Sequence, residues 1–248
     1  MGIFDRLKKK QGNGGPLAEG ENGPGADNGN GPPAGKETGS DAEDLDDVKA
    51  YGWDAITACF ERLYPGQSNP QHFATLIKYR FGGNDPLDGV SIYDGGEFWH
   101  FVTFGFSDLY EKTPGEDPEW SGWGFELTLK LKKYPWVDDP ELKCVAGILQ
   151  SLARYVYSSK TRFRAYEYIW TKQTQGFDLN GKSKLTGFAT LPDEAGAIET
   201  PNGKLEFICV VGLSDRELRG IAEKQYATRE LLERLGSPVT DYEREEVV

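Results

Sequence analysis

From Gly122 to Lys132 the chain places an apolar residue at every second position: Trp123, Phe125, Leu127, Leu129 and Leu131 alternate with Gly124, Glu126, Thr128, Lys130 and Lys132. Period two predicts a strand with one face on a core and the other in water. Phe98 to Phe106 (FWHFVTFGF) and Leu205 to Leu213 (LEFICVVGL) are largely apolar at both parities. Such strands belong in the interior of a sheet, covered on both sides. Weaker strand patterns run over Phe73 to Phe81, Val90 to Tyr93, Tyr166 to Trp170 and Leu185 to Thr190.

Helical spacing separates them. Trp53, Ile56, Phe60 and Leu63 recur at three and four residues and stop at Pro65-Gly66. Leu142, Val145, Ile148, Leu149, Leu152 and Val156 follow Asp138-Asp139-Pro140, acidic cap candidates with proline at the first turn. Ser214 and Glu217 form a capping box ahead of Leu218, Ile221 and Ala222, and Leu231, Leu232 and Leu235 precede Gly236-Ser237-Pro238. The pattern predicts a single α+β domain: one mixed, largely antiparallel sheet of five or six strands, flanked by helices.

Composition sets the limits of that domain. Residues 11 to 40 hold ten Gly and four Pro, with no aromatic and only Leu17 as a large aliphatic. They bury too little apolar surface to offset ordering entropy, so residues 1–48 are expected as a disordered tail with a short basic amphipathic start, MGIFDRLKKK. The domain then spans 49–236 and an acidic C-terminal tail 237–248. Arg6 breaks the N-myristoylation pattern.

The net charge of −12 is shared: residues 1–48 carry five basic and ten acidic side chains, the rest 23 and 30. That argues against a nucleic-acid partner and for a basic or polar one. Cys59, Cys144 and Cys209 form no CxxC pair and sit in apolar or helical contexts, as reduced buried thiols do. With no apolar run of spanning length and no signal peptide, a cytoplasmic protein is expected. Two histidines, His72 and His100, exclude a multi-histidine metal site, and no cofactor is expected.

Two constellations offer chemistry. Gly176 to Ser183 (GFDLNGKS) matches the phosphate-binding pattern GxxxxGK[ST], which would make the chain a nucleotide hydrolase. A working loop follows a buried strand and opens a helix; here a polar TKQTQ precedes it and no helical spacing follows. His100, with Asp108, Glu126 or Asp85 as carboxylate partners, is the alternative for hydrolytic acid–base work, against the plainer role of a hydrogen-bonded core histidine. Ser107-Asp108 and Asp85/Asp88 lack a nucleophile elbow and read as turn formers. Trp120, Trp123, Trp136 and Trp170 lie near loop boundaries, where an indole packs or anchors a partner.

Four stretches in order, GGNDPLDGVSIY (Gly82 to Tyr93), FWHFVTFGFSDLYEK (Phe98 to Lys112), GWGFELTLKLK (Gly122 to Lys132) and SLARYVY (Ser151 to Tyr157), resemble the amino-terminal domain of the Suppressor of fused family. The resemblance covers about Tyr51 to Gly236 and implies a non-catalytic domain that sequesters or blocks a protein partner, in animals by gripping an extended peptide of a transcription factor. Counting from LARYV without gaps, it implies partner contacts at Tyr155, Phe163 and Glu167, the last an acid where the family pattern has Asp. The second domain of the animal proteins has no counterpart after Gly236, where DYEREEVV closes the sequence given. The resemblance is then to a stand-alone bacterial member, for which it implies an immunity protein neutralising a toxin.

Overall fold

A strand apolar on both faces needs cover on both sides, and the computed structural model provides it. It describes residues 49–248 except 77, 78, 80, 81, 113, 114 and 116–118. The expected tail, residues 1–48, lies outside the described residues, as does part of the Phe73 to Phe81 stretch. Along the chain come α1 (Tyr51–Leu63), β1 (Gln71–Ala74), β2 (Gly89–Asp94), β3 (Phe98–Phe104), β4 (Trp120–Lys132) and α2 (Asp139–Ser159). β5 (Tyr168–Trp170), β6 (Leu185–Thr200), β7 (Gly203–Ser214), α3 (Asp215–Ala222), α4 (Thr228–Leu235) and β8 (Val239–Thr240) follow.

The strands form one sheet in the order β1-β2-β3-β4-β7-β6-β5, with β8 beside the end of β4. Among the described residues, only β4 with β7 and β4 with β8 are parallel. The fold is thus the expected α+β class, with eight strands among the described residues where five or six were expected. The strand expected over Phe73 to Phe81 is met by β1 at Phe73 and Ala74, whereas the two-residue β8 carries too few positions to show a period. β1 pairs with β2 as far as Ala74 opposite Gly89, and the Thr75 amide adds one more bond to Asp88 O at 3.0 Å.

β7 shows how the layers arise. Its even positions Ile208 and Val210 join the cluster built on α2, whose Leu142, Val145, Ile148, Leu149, Leu152 and Val156 are all buried. Odd positions Leu205 and Phe207 pack on Ile56, Cys59 and Phe60 of α1, while Val211 and Leu213 pack on Leu218, Ile221, Leu231 and Leu232 of α3 and α4. Each such aliphatic contributes about 1.5–3 kcal/mol on burial. The helix starts expected at Asp138 and Ser214 are both present: Asp138 accepts from the Glu141 amide, and Ser214 with Glu217 closes a capping box.

β4 departs from expectation. Its odd residues face α2 as predicted, but the supposedly wet Glu126, Thr128 and Lys130 are buried. α1 and a bulge in β6 between Pro192 and Ala197 cover that face, and each polar group there has a partner. Thr128 Oγ1 donates to Asp193 Oδ2 at 2.8 Å and Lys130 Nζ reaches Glu194 at 2.9 Å. Alternation reports which residues share a face; it does not report whether water covers that face.

The last residues are likewise not a free tail. Tyr242 is buried and donates to the buried Glu141 at 2.9 Å, and Arg244 Nη1 pairs with buried Glu217 at 2.7 Å. Gly236, at φ +66, does end α4 as expected, but the chain then turns back onto the sheet. Among the described residues, no helix is long and apolar enough to cross a membrane.

Candidate functional site

The three residues singled out in sequence meet on one side of the molecule. The last turn of α2 carries Tyr155, and Lys160, in the left-handed region at φ +56, stops the helix by donating to Val156 O. The chain then folds back so that Phe163 lies under Tyr155, ring centroids 6.0 Å apart and nearly parallel at 12°. Phe163 is 4% exposed and edge-on to Phe125 of the core, whereas Tyr155 is 40% exposed. One ring is therefore the floor and the other the surface of the same platform.

Thr190 sets the next bend. Its hydroxyl accepts from the Glu167 amide at 2.9 Å and donates to Arg164 O at 2.6 Å. Tyr166, at φ +66, donates its amide to Thr190 O, and Glu167 Oε2 accepts from the Arg164 amide at 3.0 Å. Glu167 is thereby held at the mouth of β5. Tyr155, Phe163, Glu167, Tyr168, Trp170 and Thr228 line a groove of about 530 Å³. β5 forms its wall and ends the sheet order: among the described residues it pairs with β6 on one side and with no strand on the other. A row of unpaired main-chain groups beside an aromatic floor is what an added strand requires.

Sequence reasoning reached Tyr155, Phe163 and Glu167 through the family resemblance and Trp170 as an aromatic near a boundary. It missed Tyr168 and Thr228. Tyr168 could have been found from strand parity, since it and Trp170 share a parity on a strand with mixed neighbours. Thr228 comes from a helix nearly 60 positions away and carries no local signal.

The rival constellations are closed. In the Gly176 to Ser183 loop, Phe177 is in the core and stacks on Phe188, centroids 4.8 Å apart. Asp178 is buried and its carboxylate accepts from the amides of Lys182 (2.8 Å) and Ser183 (3.0 Å), the donors a phosphate would need. Leu179 N donates to Glu141, Lys182 Nζ lies over the Trp136 ring at 4.5 Å, and the loop leads into strand β6 instead of a helix. Gly176 fits because a Cβ there would stand 2.0 Å from Ser183 O.

His100 is fully buried between α1 and the sheet. Its Nδ1 lies 2.6 Å from Tyr64 Oη and its Nε2 3.2 Å from Asp193 Oδ2. The carboxylate partner is thus Asp193 from the β6 bulge, not Asp108, Glu126 or Asp85, which reside elsewhere. Burial pushes the Asp193 carboxyl up, but the hydrogen bond and charge of His100, with Lys130 behind, outweigh it and hold the group down at about 2. Glu126 instead gathers the β3–β4 connection, accepting from Gly105 N, Ser107 N, Ser107 Oγ and Thr103 Oγ1 at 2.6–3.0 Å. Complete burial nevertheless lifts it to about 7, the hydrogen bonds opposing.

The remaining candidates are structural. Asp85 pairs with Arg154 at 2.7 Å, Asp88 accepts from Tyr110 Oη at 2.8 Å, and Asp108 accepts from the Gly122 amide at 2.6 Å. Trp136 stacks between Tyr134 and Tyr242, Trp123 leans on Tyr157, and Arg162 covers Trp120. The three cysteines are unbridged, and burial drives the Cys209 thiol up to about 12. Among the described residues no group of three His, Cys, Asp or Glu side chains could hold a metal ion.

Comparison with known proteins gives a consistent result. A family model described as Suppressor of fused protein (SUFU) matches residues 83–245. The human Suppressor of fused homolog is 34% identical over 221 residues, covering 79% of this chain and 44% of the human protein. The chain therefore spans less than half the length of that relative. Among solved structures, the crystal structure of the Sufu-Fu complex aligns with a TM-score of 0.69 at 29% identity, covering 80% of this chain and 93% of that one. Drosophila Suppressor of Fused aligns with a TM-score of 0.68 at 30% identity, covering 80% and 52%.

Proposed function

The chain belongs to the Suppressor of fused family, and from that premise we propose that it is a cytoplasmic, non-catalytic binding domain that seats an extended segment of a partner protein along β5. The observation that carries this reading is convergence: Tyr155 on a helix, and Phe163 and Glu167 from the bends that follow it, line one groove beside the edge strand β5. A relative solved as a Sufu-Fu complex supports a protein as the occupant. Main-chain hydrogen bonds to β5 supply sequence-independent affinity, and the groove supplies selectivity. Tyr155 offers a rigid amphipathic ring at small entropy cost, and Glu167 a carboxylate for a basic or polar side chain.

The partner class we propose is a toxin, which the domain blocks by covering a segment it needs; this is the immunity role the bacterial resemblance implies. The test is co-expression with neighbouring genes and recovery on the tagged chain, wild type against Tyr155→Ala/Glu167→Ala. A stoichiometric partner whose affinity drops at least about tenfold in the double variant supports the reading. No stoichiometric partner, or one bound equally by both, contradicts it. Phe163 is left out of the variant because it is core, and its loss would confuse unfolding with lost contact.

A further inference from the structure

The groove continues past Trp170. The indole Nε1 donates to Asp215 Oδ1 at 2.9 Å, which fixes the ring as a wall shared with a second, wider cleft of about 1200 Å³. Lys172, immediately beyond β5, holds a left-handed backbone at φ +55 and sets its ammonium 5.3 Å from the Trp170 ring. With Tyr166 at φ +66 on the other side, β5 is bracketed by two residues in a conformation that non-glycine residues avoid. Lys184 lines the same cleft, and both lysines are exposed.

The charge there is unbalanced. Arg219 is matched by Asp215 at 2.8 Å and Arg216 by Glu246 at 3.5 Å. Lys172 and Lys184 have no carboxylate within ion-pair distance among the described residues. In a chain of net charge −12 this is a local reversal of sign. Two polar groups of the cleft wall point the same way. Gln173 and Thr186 are 6% and 4% exposed, and Gln173 Oε1 and Thr186 Oγ1 lack a hydrogen-bond partner, although Gln173 Nε2 donates to Gln175 O at 2.8 Å. An amide oxygen needs a donor and a hydroxyl can use either kind of partner. A peptide main chain supplies both donor and acceptor; a bare anion supplies only acceptors.

We propose that this cleft is a second subsite of the same groove and takes an acidic flank of the bound segment. A carboxylate side chain meets Lys172 and Lys184 while the adjoining main chain satisfies Gln173 and Thr186. The inference rests on the β5 reading above and adds a direction to it. Glu167 stands at one end of β5 and Lys172 at the other, so a segment can lie in only one orientation without opposing like charges. At about 3.3 Å per residue, the acidic position falls roughly four to six residues from the one facing Glu167.

A random linear peptide library displayed against the full chain tests this, with wild type, Tyr155→Ala and Lys172→Glu/Lys184→Glu as targets. The expected result is a family of peptides that is lost on Tyr155→Ala and pairs a basic or polar residue with Asp or Glu about four to six positions away. A synthetic member should bind the charge-reversed variant at least about tenfold more weakly at low salt, and selection on that variant should replace the acidic position by Lys or Arg. Tyr155-dependent peptides with no acidic preference, or with affinity unmoved by charge reversal, overturn the subsite and leave the groove standing. A library that yields no Tyr155-dependent peptide overturns both.

Discussion

Two stretches of this chain advertise a ligand site, and they differ in what their polar groups already do. The Gly176 to Ser183 loop has the letters of a phosphate cradle, yet Asp178 occupies the Lys182 and Ser183 amides and Phe177 anchors the loop in the core. The β5 groove has no recognisable motif, yet it leaves a sheet edge and a half-exposed Tyr155, and the cleft beyond Trp170 adds Gln173 Oε1 and Thr186 Oγ1 without partners. A spacing pattern names residues that could bind; the hydrogen bonds they make among themselves decide whether they are available.

The sharpest way to break that contrast is Phe177→Ala. Removing a buried ring stacked on Phe188 should cost about 3–5 kcal/mol in urea unfolding, as a core residue does and a ligand loop does not. A loss below about 1 kcal/mol would reopen the loop as a site. Glu126 sharpens the contrast from the side of buried carboxylates. Its pKa is raised from an ordinary 4.5 to about 7, so between those values the folded state keeps a proton the unfolded chain has lost. Stability should therefore fall by about 3 kcal/mol as pH rises through that window and level off above it, and Glu126→Gln should flatten the profile.

Asp178→Ala comes next, at about 1–3 kcal/mol, because two amides lose their acceptor. Calorimetry with Mg·ATP should detect no Lys182-dependent binding in either protein. Tyr155→Ala should change stability least, by under about 1 kcal/mol, since the side chain is 40% exposed, while weakening partner binding at least about tenfold.

Much of the scaffold was legible in the sequence because burial and periodicity reinforce each other there. The six apolar positions of α2, the interior strands β3 and β7 and the capping box at Ser214 follow from spacing and cap chemistry alone. What escaped was non-local. Nothing in the alternation of β4 says that a bulge in β6 folds down on Thr128 and Lys130, and nothing near Glu141 announces Tyr242 a hundred positions later.

 The site was legible in part. Tyr155, Phe163 and Glu167 came from matching whole words of sequence to a family, whereas Tyr168 and Thr228 joined them only once the sheet order placed β5 at an edge beside α4. The acidic partner of His100 shows the same limit: Asp193 lies 93 positions away and reaches the ring through an irregularity in β6.

On this reading β5, and not the opposite edge at β1, accepts another chain. Hydrogen exchange of the backbone amides, measured for the full chain alone and saturated with the strongest Tyr155-dependent peptide, tests it most directly. Added protection is expected at Tyr168 to Trp170, with Gln71 to Ala74 unchanged. Protection at β1, or a bound peptide that leaves the β5 amides exchanging as before, would contradict it.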